Sequence, residues 1–475
     1  MATSNLAAPD QLLLDIAEYA VGYQPRQEAS YDAARLALAD ALACALQALD
    51  HAGCRRVIGP LAPGTIVPDG ARVPGTADAL DPAQATFSLA AMIRWLDYSD
   101  TCSGALTTHP SDNIGAVLMV ADYVSRQRVS ADRPPLVMRD VFAALIVAYE
   151  IQGALGQLND FRRYGIDQPL LTRVASAAVA TRLFGGDDAQ ALSAVSNAFI
   201  DTSLSVVRNA PNIGPRKNWA AAHASADAVR LAQFAMRGEP GYPWVLSAPE
   251  LGFHAARCQG EPLRFAAPLA EEIIGLCMFK FVPAGMHGQT AAECAFLLHE
   301  QLAGRVDDIE SIAIRGHRAL IRIMNKPGPL RNAADRDHCV QYLVALGLLQ
   351  GHIAPEDFED ERAADPRIDA LRATMTLTED ERYTRDFADP AQRSSANAVH
   401  VRLKDGTVLE AAVEYPAGHP RRRIAALPLL RAKLAASLER RFDPARRAAI
   451  LDVFEHGPEL DRLAVPAFVD LFVHH

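Results

Sequence analysis

The sequence predicts a mainly α protein with an α+β part: a large all-helical domain over residues 1–275, a smaller α+β domain over 276–423, and C-terminal helices over 424–475. Three observations carry this. Apolar residues recur at helical spacing through the first 275 residues, with almost no strand alternation. Past Leu276, alternating segments and a hairpin signal appear among further helices, the texture of a compact α+β unit. Helical periodicity returns at 424–441 and 444–454, and a tail that packs back onto the first domain makes the α+β unit an insertion.

Taken in order, Ala-rich helices are expected at 10–23 and 31–49, where small residues let neighbours approach closely. The next runs from Pro82 through Leu96, with Asp81 as N-cap and Pro82 at the first helical position. A polar stretch to His109 follows. Ser111-Asp112-Asn113 then opens another apolar run (Ile114, Val117, Leu118, Val120), with Ser111 or Asp112 as its cap. Helices at 140–153, 169–184, 189–204 and 218–236 complete the first domain. In the second, 309–315 alternates like a half-buried strand, and 399–404 and 408–415 flank Asp405-Gly406 as a hairpin. Helices are expected there at 287–302, 333–351 and 366–375, and the charged 356–361 reads as a solvated loop or helix start.

Composition narrows the function. The chain has 475 residues, 50% apolar and 22% charged, which is ordinary globular usage. A net charge of −10 argues against nucleic-acid binding by bulk electrostatics, so an anionic ligand needs a local cluster of bases. The N-terminus lacks the basic-then-apolar pattern of a signal peptide, and no uninterrupted apolar run reaches membrane-spanning length. The expectation is a cytoplasmic protein with no membrane partner. Seven cysteines (44, 54, 102, 258, 277, 294 and 339) are scattered without CxxC spacing, so no iron–sulfur cluster or zinc site is expected. Most read as small buried residues, with Cys102 set apart by its place in the polar stretch.

The chemistry-bearing residues fall in four places. The stretch 93–113 holds Asp97, Asp100, Thr101 and His109 between two helix ends, where positions are fixed and helix N-termini favour anions. Arg208, Arg216 and Lys217 surround a Pro/Asn/Gly-rich loop at a helix start, either an anion site or a basic surface loop. Lys280 stands in the apolar MFKFVP, where it either snorkels or meets an anion. His287 follows, in GMHGQT, either as a site residue on an open backbone or as a helix cap. His338, Gln341 and Tyr342 share a face if 333–351 is one helix, which makes either a wet cleft or a hydrogen-bonded core network. Together these give an acid–base set (Asp97, His109, Tyr342) and an anion set (Arg216, Lys217, Lys280), suited to removing a proton beside a carboxylate. No Gly-rich phosphate loop after a strand, GxSxG or HExxH occurs.

The segments MIRWLDYSDT, THPSDNIGAVL, RNAPNIGPRKNWAAAHASADAVRLA, FKFVPAGMHGQTA, NKPGPLRNAADRDHCVQYLVA and LKDGTVLEAAVEYPAGHPRRR resemble, in order and along nearly the whole chain, the MmgE/PrpD family. The resemblance implies a large helical domain, a smaller α+β lid inserted before the C-terminal helices, and a homodimer. It implies a hydro-lyase that converts 2-methylcitrate to 2-methylaconitate in propionate breakdown, through the methylcitrate cycle, without a metal or other cofactor. By similarity to a family decarboxylase acting on cis-aconitate, the site lies between the domains. Asp97, Thr101, His109, Lys217, Lys280 and Tyr342 then fall on functional positions. The expected roles are His109, Asp97 and Tyr342 in catalysis, and Thr101, Arg216, Lys217, Lys280, His338 and Gln168 in substrate binding. Three departures stand out: Gln168 replaces a His usual after Gly-Ile-Asp, FKFVP is about one residue short between Lys and Pro, and Cys102 replaces a Trp. The alternatives are decarboxylation or epimerisation of a related acid, or a catalytically impaired protein that only binds one.

Overall fold

A computed structural model describes residues 8–209 and 213–474. Two hydrophobic cores organise the chain, and the observed class is the predicted one, mainly α with an α+β part. The first core lies among the helices Gln11–Gly22, Glu28–Ala48, Pro82–Arg94, Ile114–Ser130, Met138–Leu158, Pro169–Phe184, Asp188–Ala198 and Arg216–Met236. Alanines explain the close stacking: Arg216–Met236 lies against both Pro169–Phe184 and Pro82–Arg94, burying Ala220, Ala221, Ala224 and Ala228. Asp81 caps its helix as predicted, accepting the Ala83 and Gln84 N–H groups at 3.1 Å. Met138–Leu158 is long and apolar enough to cross a membrane, but 89% of its apolar window is buried inside the fold. Its Glu150 accepts the N–H groups of Ala270 and Ile273, as a core helix packed against a loop does.

Two expectations are corrected here. The predicted 189–204 helix stops at Ala198, followed by a turn. Ser111 and Asp112 cap nothing: they lie inside a 3₁₀ turn, Pro110–Asn113, and Ile114–Ser130 follows without a side-chain cap. The Asp112 carboxylate is committed to Gln168 instead.

The second core fills the space between a four-stranded sheet and the helices Gln289–Leu302 and Val340–Gln350. Strand order is Met375–Glu379, Ile309–Gly316, Asn397–Leu403, Val408–Val413, with the last two forming the predicted hairpin. Met375–Glu379, parallel to Ile309–Gly316, was missed because it follows the Pro366–Ala373 helix directly and is largely uncovered. The predicted 333–351 helix is two, Ala333–Arg336 and Val340–Gln350, because Cys339 is extended (φ −120°, ψ 108°).

Arg423–Glu439 returns to the first core, packing along Glu28–Ala48 and burying Leu430, Leu434 and Leu438. Its Lys433 donates to Asp40 Oδ1 (2.7 Å) and to the carbonyls of Tyr98 (2.9 Å) and Lys280 (3.2 Å). One ammonium thus ties the C-terminal helices to the two segments that carry Asp97 and Lys280. Lys433→Met leaves the Asp40 carboxylate buried and unpaired, an expected loss of about 3–5 kcal/mol. Calorimetry should show a lower melting temperature that Lys433→Met with Asp40→Leu largely restores.

Candidate active site

The polar stretch after Arg94 is buried, and backbone pairing holds it. Thr101 exchanges N–H···O bonds with Met278 (2.9 and 2.8 Å), and Cys102 exchanges them with Thr108 (2.8 and 3.0 Å). This loop rides on the Met138–Leu158 helix, where a Cβ at Gly104 would lie 2.5 Å from the Gly156 carbonyl oxygen. The Thr101–Met278 bridge brings Lys280 against Asp97.

Asp97 is the hub. It takes a left-handed backbone (φ 49°), a conformation that Asp tolerates better than most residues. Its carboxylate meets Arg94 Nη1 (3.2 Å), Lys217 Nζ (2.9 Å) and Lys280 Nζ, and Lys280 also donates to the Asp97 carbonyl at 2.8 Å. Burial pushes this carboxyl up, but Arg94, Lys217 and Lys280 outweigh it and hold it well below the usual range. Burial lowers the Lys280 ammonium, against the pull of Asp97. Lys217 also reaches Asp337 (2.9 Å) and His338 Nδ1 (3.3 Å).

His109 stands beside this cluster. Its Nδ1 donates to the Asp100 carbonyl at 2.8 Å. A carbonyl only accepts, so Nδ1 carries the hydrogen and Nε2 keeps a lone pair. Burial, then Arg94 and Lys280, hold this imidazole well below its ordinary pKa and therefore neutral at pH 7. Asp100 fixes the loop rather than the chemistry, accepting Tyr149 Oη at 2.7 Å and the Ser111 N–H at 3.1 Å.

His109 faces a cavity of about 100 Å³ between the two cores. The side of the first core contributes Arg94, Asp97, Leu106, Thr107, His109, Arg162, Asp167, Gln168, Arg208 and Lys280, whose neighbours Phe279 and Phe281 pack in that core, and the side of the second contributes Met286, His287, Ile323 and His338. Among the described residues, Arg94 Nε and Nη2 and Arg208 Nη2 are buried without a hydrogen-bond partner. Asp167 braces Arg208 through Nε (2.8 Å), leaving the other end of its guanidinium for a ligand. Buried, unspent guanidinium N–H groups are costly unless an anion meets them. A larger groove along Gln11, Asp15, Glu18 and Arg264 has no such groups and no imidazole.

Gln168 lines the cavity as the N-cap of Pro169–Phe184, and its amide is fixed from both sides. Nε2 donates to Asp112 (2.9 Å) and Oε1 accepts from Gln152 (3.1 Å). Gln152 continues to Asn113, and Asn113 to Ser176. Burial lifts Asp112 to about 6.

Of the sequence-nominated residues, the structure gathers Asp97, His109, Gln168, Lys280 and His338 on the cavity, with Lys217 directly behind Asp97. Thr101 sits at its edge, Oγ1 bonded to the Thr108 carbonyl (3.2 Å) and touching Met286 Sδ (3.7 Å). Two residues lie elsewhere. Arg216 stacks on Trp219, 3.8 Å from the ring centroid. Tyr342 donates to the Asp357 carbonyl at 2.7 Å and packs on Phe358, because the break at Cys339 turns it away from His338. The sequence points to neither Arg94 nor Arg162, to Arg208 only as one of three bases of a loop that is either an anion site or basic surface, and to His287 only as either a site residue or a helix cap. Arg94 had a signal: one charge in the otherwise buried Pro82–Arg94 helix. His287, with no side-chain bond at Nδ1, is packed on His317 and Phe387.

Ligand atoms of Asp97, Asp337 and His338 converge within 4.8 Å, as a metal site would require. The Lys217 ammonium already sits among them, at 2.9 Å from both carboxylates. The donor set is satisfied by a cation of the chain's own.

A neutral imidazole with a free lone pair, facing unspent guanidinium groups across a cleft between the two cores, is chemically able to exchange a proton with a bound organic anion. The chain belongs to the MmgE/PrpD family: the family's N-terminal domain model matches residues 14–266 and its C-terminal domain model residues 282–456. It is 48% identical to a 2-methylcitrate dehydratase of Cupriavidus necator and 45% to one of Escherichia coli K12, each over 98% of this chain and 97% of the relative. It is 41% identical to a mitochondrial 2-methylcitrate dehydratase of Yarrowia lipolytica, over 98% of this chain and 90% of that one.

Proposed function

We propose that this chain is a carbon–oxygen lyase that dehydrates 2-methylcitrate to 2-methylaconitate in propionate breakdown. The observation that carries the reading is the neutral His109 set among unspent cationic donors, in a chain 48% identical to a dehydratase of that acid. Arg94, Arg208, Arg162 and Lys280 hold the carboxylates, and the charge that develops beside the attacked carbon falls on the same donors. His109 Nε2 removes the C–H proton, the C–H electrons form the double bond, and the C–O bond breaks. The imidazolium returns its proton to the departing hydroxyl, so water leaves and the ring is neutral again. Gln168 has no proton to exchange at neutral pH and serves as a fixed amide donor. Lys217, Asp337 and His338 keep Asp97 in place, and Asp97 keeps Arg94 and Lys280. Thr101 acts by positioning the loop. Tyr342 and Arg216 take no part in this scheme.

The units 1–275, 276–423 and 424–475 are read as helical domain, lid and returning helices, supported by the two cores. The chain is read as a cytoplasmic homodimer, and exposed Ile424 and Leu427, three residues apart on one C-terminal helix, favour a covered face. Sedimentation should give the mass of two chains.

The test is to incubate the protein with 2-methylcitrate, citrate and cis-aconitate separately, with and without a chelator. The expected result is unsaturated product from 2-methylcitrate at a rate the chelator does not change, because Lys217 fills the place a cation would take. Release of CO₂ from cis-aconitate, with no product from 2-methylcitrate, would replace dehydration by decarboxylation. Arg208→Lys, which keeps the charge but loses the forked donors, should raise KM for 2-methylcitrate by roughly 10-fold or more.

A further inference from the structure

Three of the side chains that line the cavity are apolar: Leu106 from the His109 loop, and Met286 and Ile323 from the second domain. A close backbone approach places the last two. The Met286–Gly288 turn lies on the Arg318–Met324 helix: a Cβ at Gly285 would stand 3.2 Å from Met324 Sδ, and one at Gly288 2.9 Å from Met324 Cε. Met324 is thereby buried under the turn, and Ile323, one residue earlier, is carried to the cavity wall. Met286 Sδ lies 3.7 Å from Thr101 Oγ1.

An unbranched tricarboxylate has nothing to set against these three side chains. Its carboxylates and hydroxyl are matched by guanidinium, ammonium, amide and imidazole groups, and water would be left on Leu106, Met286 and Ile323. A methyl branch removes that water and gains apolar contact. We propose that Ile323, with Leu106 and Met286, seats the methyl branch of the substrate and sets the preference for a methyl-branched tricarboxylate over the unbranched one. This rests on the dehydratase reading above. One methyl group in an apolar pocket discriminates by roughly 10–200-fold.

The experiment is kcat/KM for 2-methylcitrate and for citrate, measured on the wild-type protein, Ile323→Ala and Leu106→Ala. Ile323 is only half-buried, so its truncation should leave the fold intact. The expected result is a wild-type ratio of about 10 or more in favour of the branched acid, falling at least ~5-fold in each variant. A wild-type protein that dehydrates both acids, with the ratio unchanged in both variants, overturns the methyl seat and leaves the dehydratase reading standing. A wild-type protein that dehydrates neither acid overturns both.

Discussion

His109→Ala is expected to lower kcat for 2-methylcitrate by roughly 10²–10⁴ while leaving a folded protein, because a placed acid–base group contributes about that much. The fold should survive because His109 makes one side-chain bond, to the Asp100 carbonyl, and Asp100 retains Tyr149 and Ser111. The loss should fall on kcat more than on KM, since carboxylate binding rests on Arg94, Arg162, Arg208 and Lys280. The pH profile adds a second readout. The base works when neutral, and burial with Arg94 and Lys280 lowers its pKa below the ordinary value of about 6.5. Wild-type kcat/KM should therefore be flat from neutral pH down to that depressed pKa and fall below it. A bound polyanion favours the imidazolium, so the acid limb of kcat should lie higher than that of kcat/KM. A His109→Ala protein turning over 2-methylcitrate at the wild-type rate would remove His109 from the mechanism.

What the sequence made legible follows from how local each signal is. The Asp81–Pro82 start and the Asp405-Gly406 hairpin are written in adjacent residues and are found where expected, whereas helix periodicity gives most of the helices but overruns Ala198 and bridges the break at Cys339. Asp97 and His109 stand out as polar residues held between two helix ends, and Lys280 as a charge in an apolar run that needs a partner, which proves to be Asp97. Tyr342 shares a face with His338 only on one continuous helix, and the extended Cys339 breaks that helix. Arg216 and Arg208 looked equivalent in one basic loop. Only the fold shows that one stacks on Trp219 while the other is braced by Asp167 toward the cavity. Gln168 was a puzzle as an isolated letter. Its meaning lies in Asp112 and Gln152, which are 56 and 16 positions away along the chain.

Asp97→Asn should cost the most stability of any single change at the site. Asn keeps the side-chain shape and, like Asp, tolerates the left-handed backbone at φ 49°, so the substitution isolates the charge. What remains, among the described residues, is Arg94 and Lys280 buried with no carboxylate in contact except the more distant Asp112, 3.9 Å from Arg94 Nε. Lys217 alone keeps a full partner, Asp337. Removing one side of a buried ionic cluster costs about 3–5 kcal/mol, several degrees in melting temperature. The pH dependence has a definite sign. The folded carboxyl of Asp97 lies well below its unfolded value of about 3.9, so its contribution is present above pH 4 and lost as pH falls through the folded pKa. Melting curves of wild type and Asp97→Asn should differ most at neutral pH and converge in strong acid. Activity should fall with stability, because Lys280 and Arg94 lose the group that aims them into the cleft. A variant that melts like the wild type at pH 7 would show that Asp97 is not the counter-ion on which the cationic wall is built.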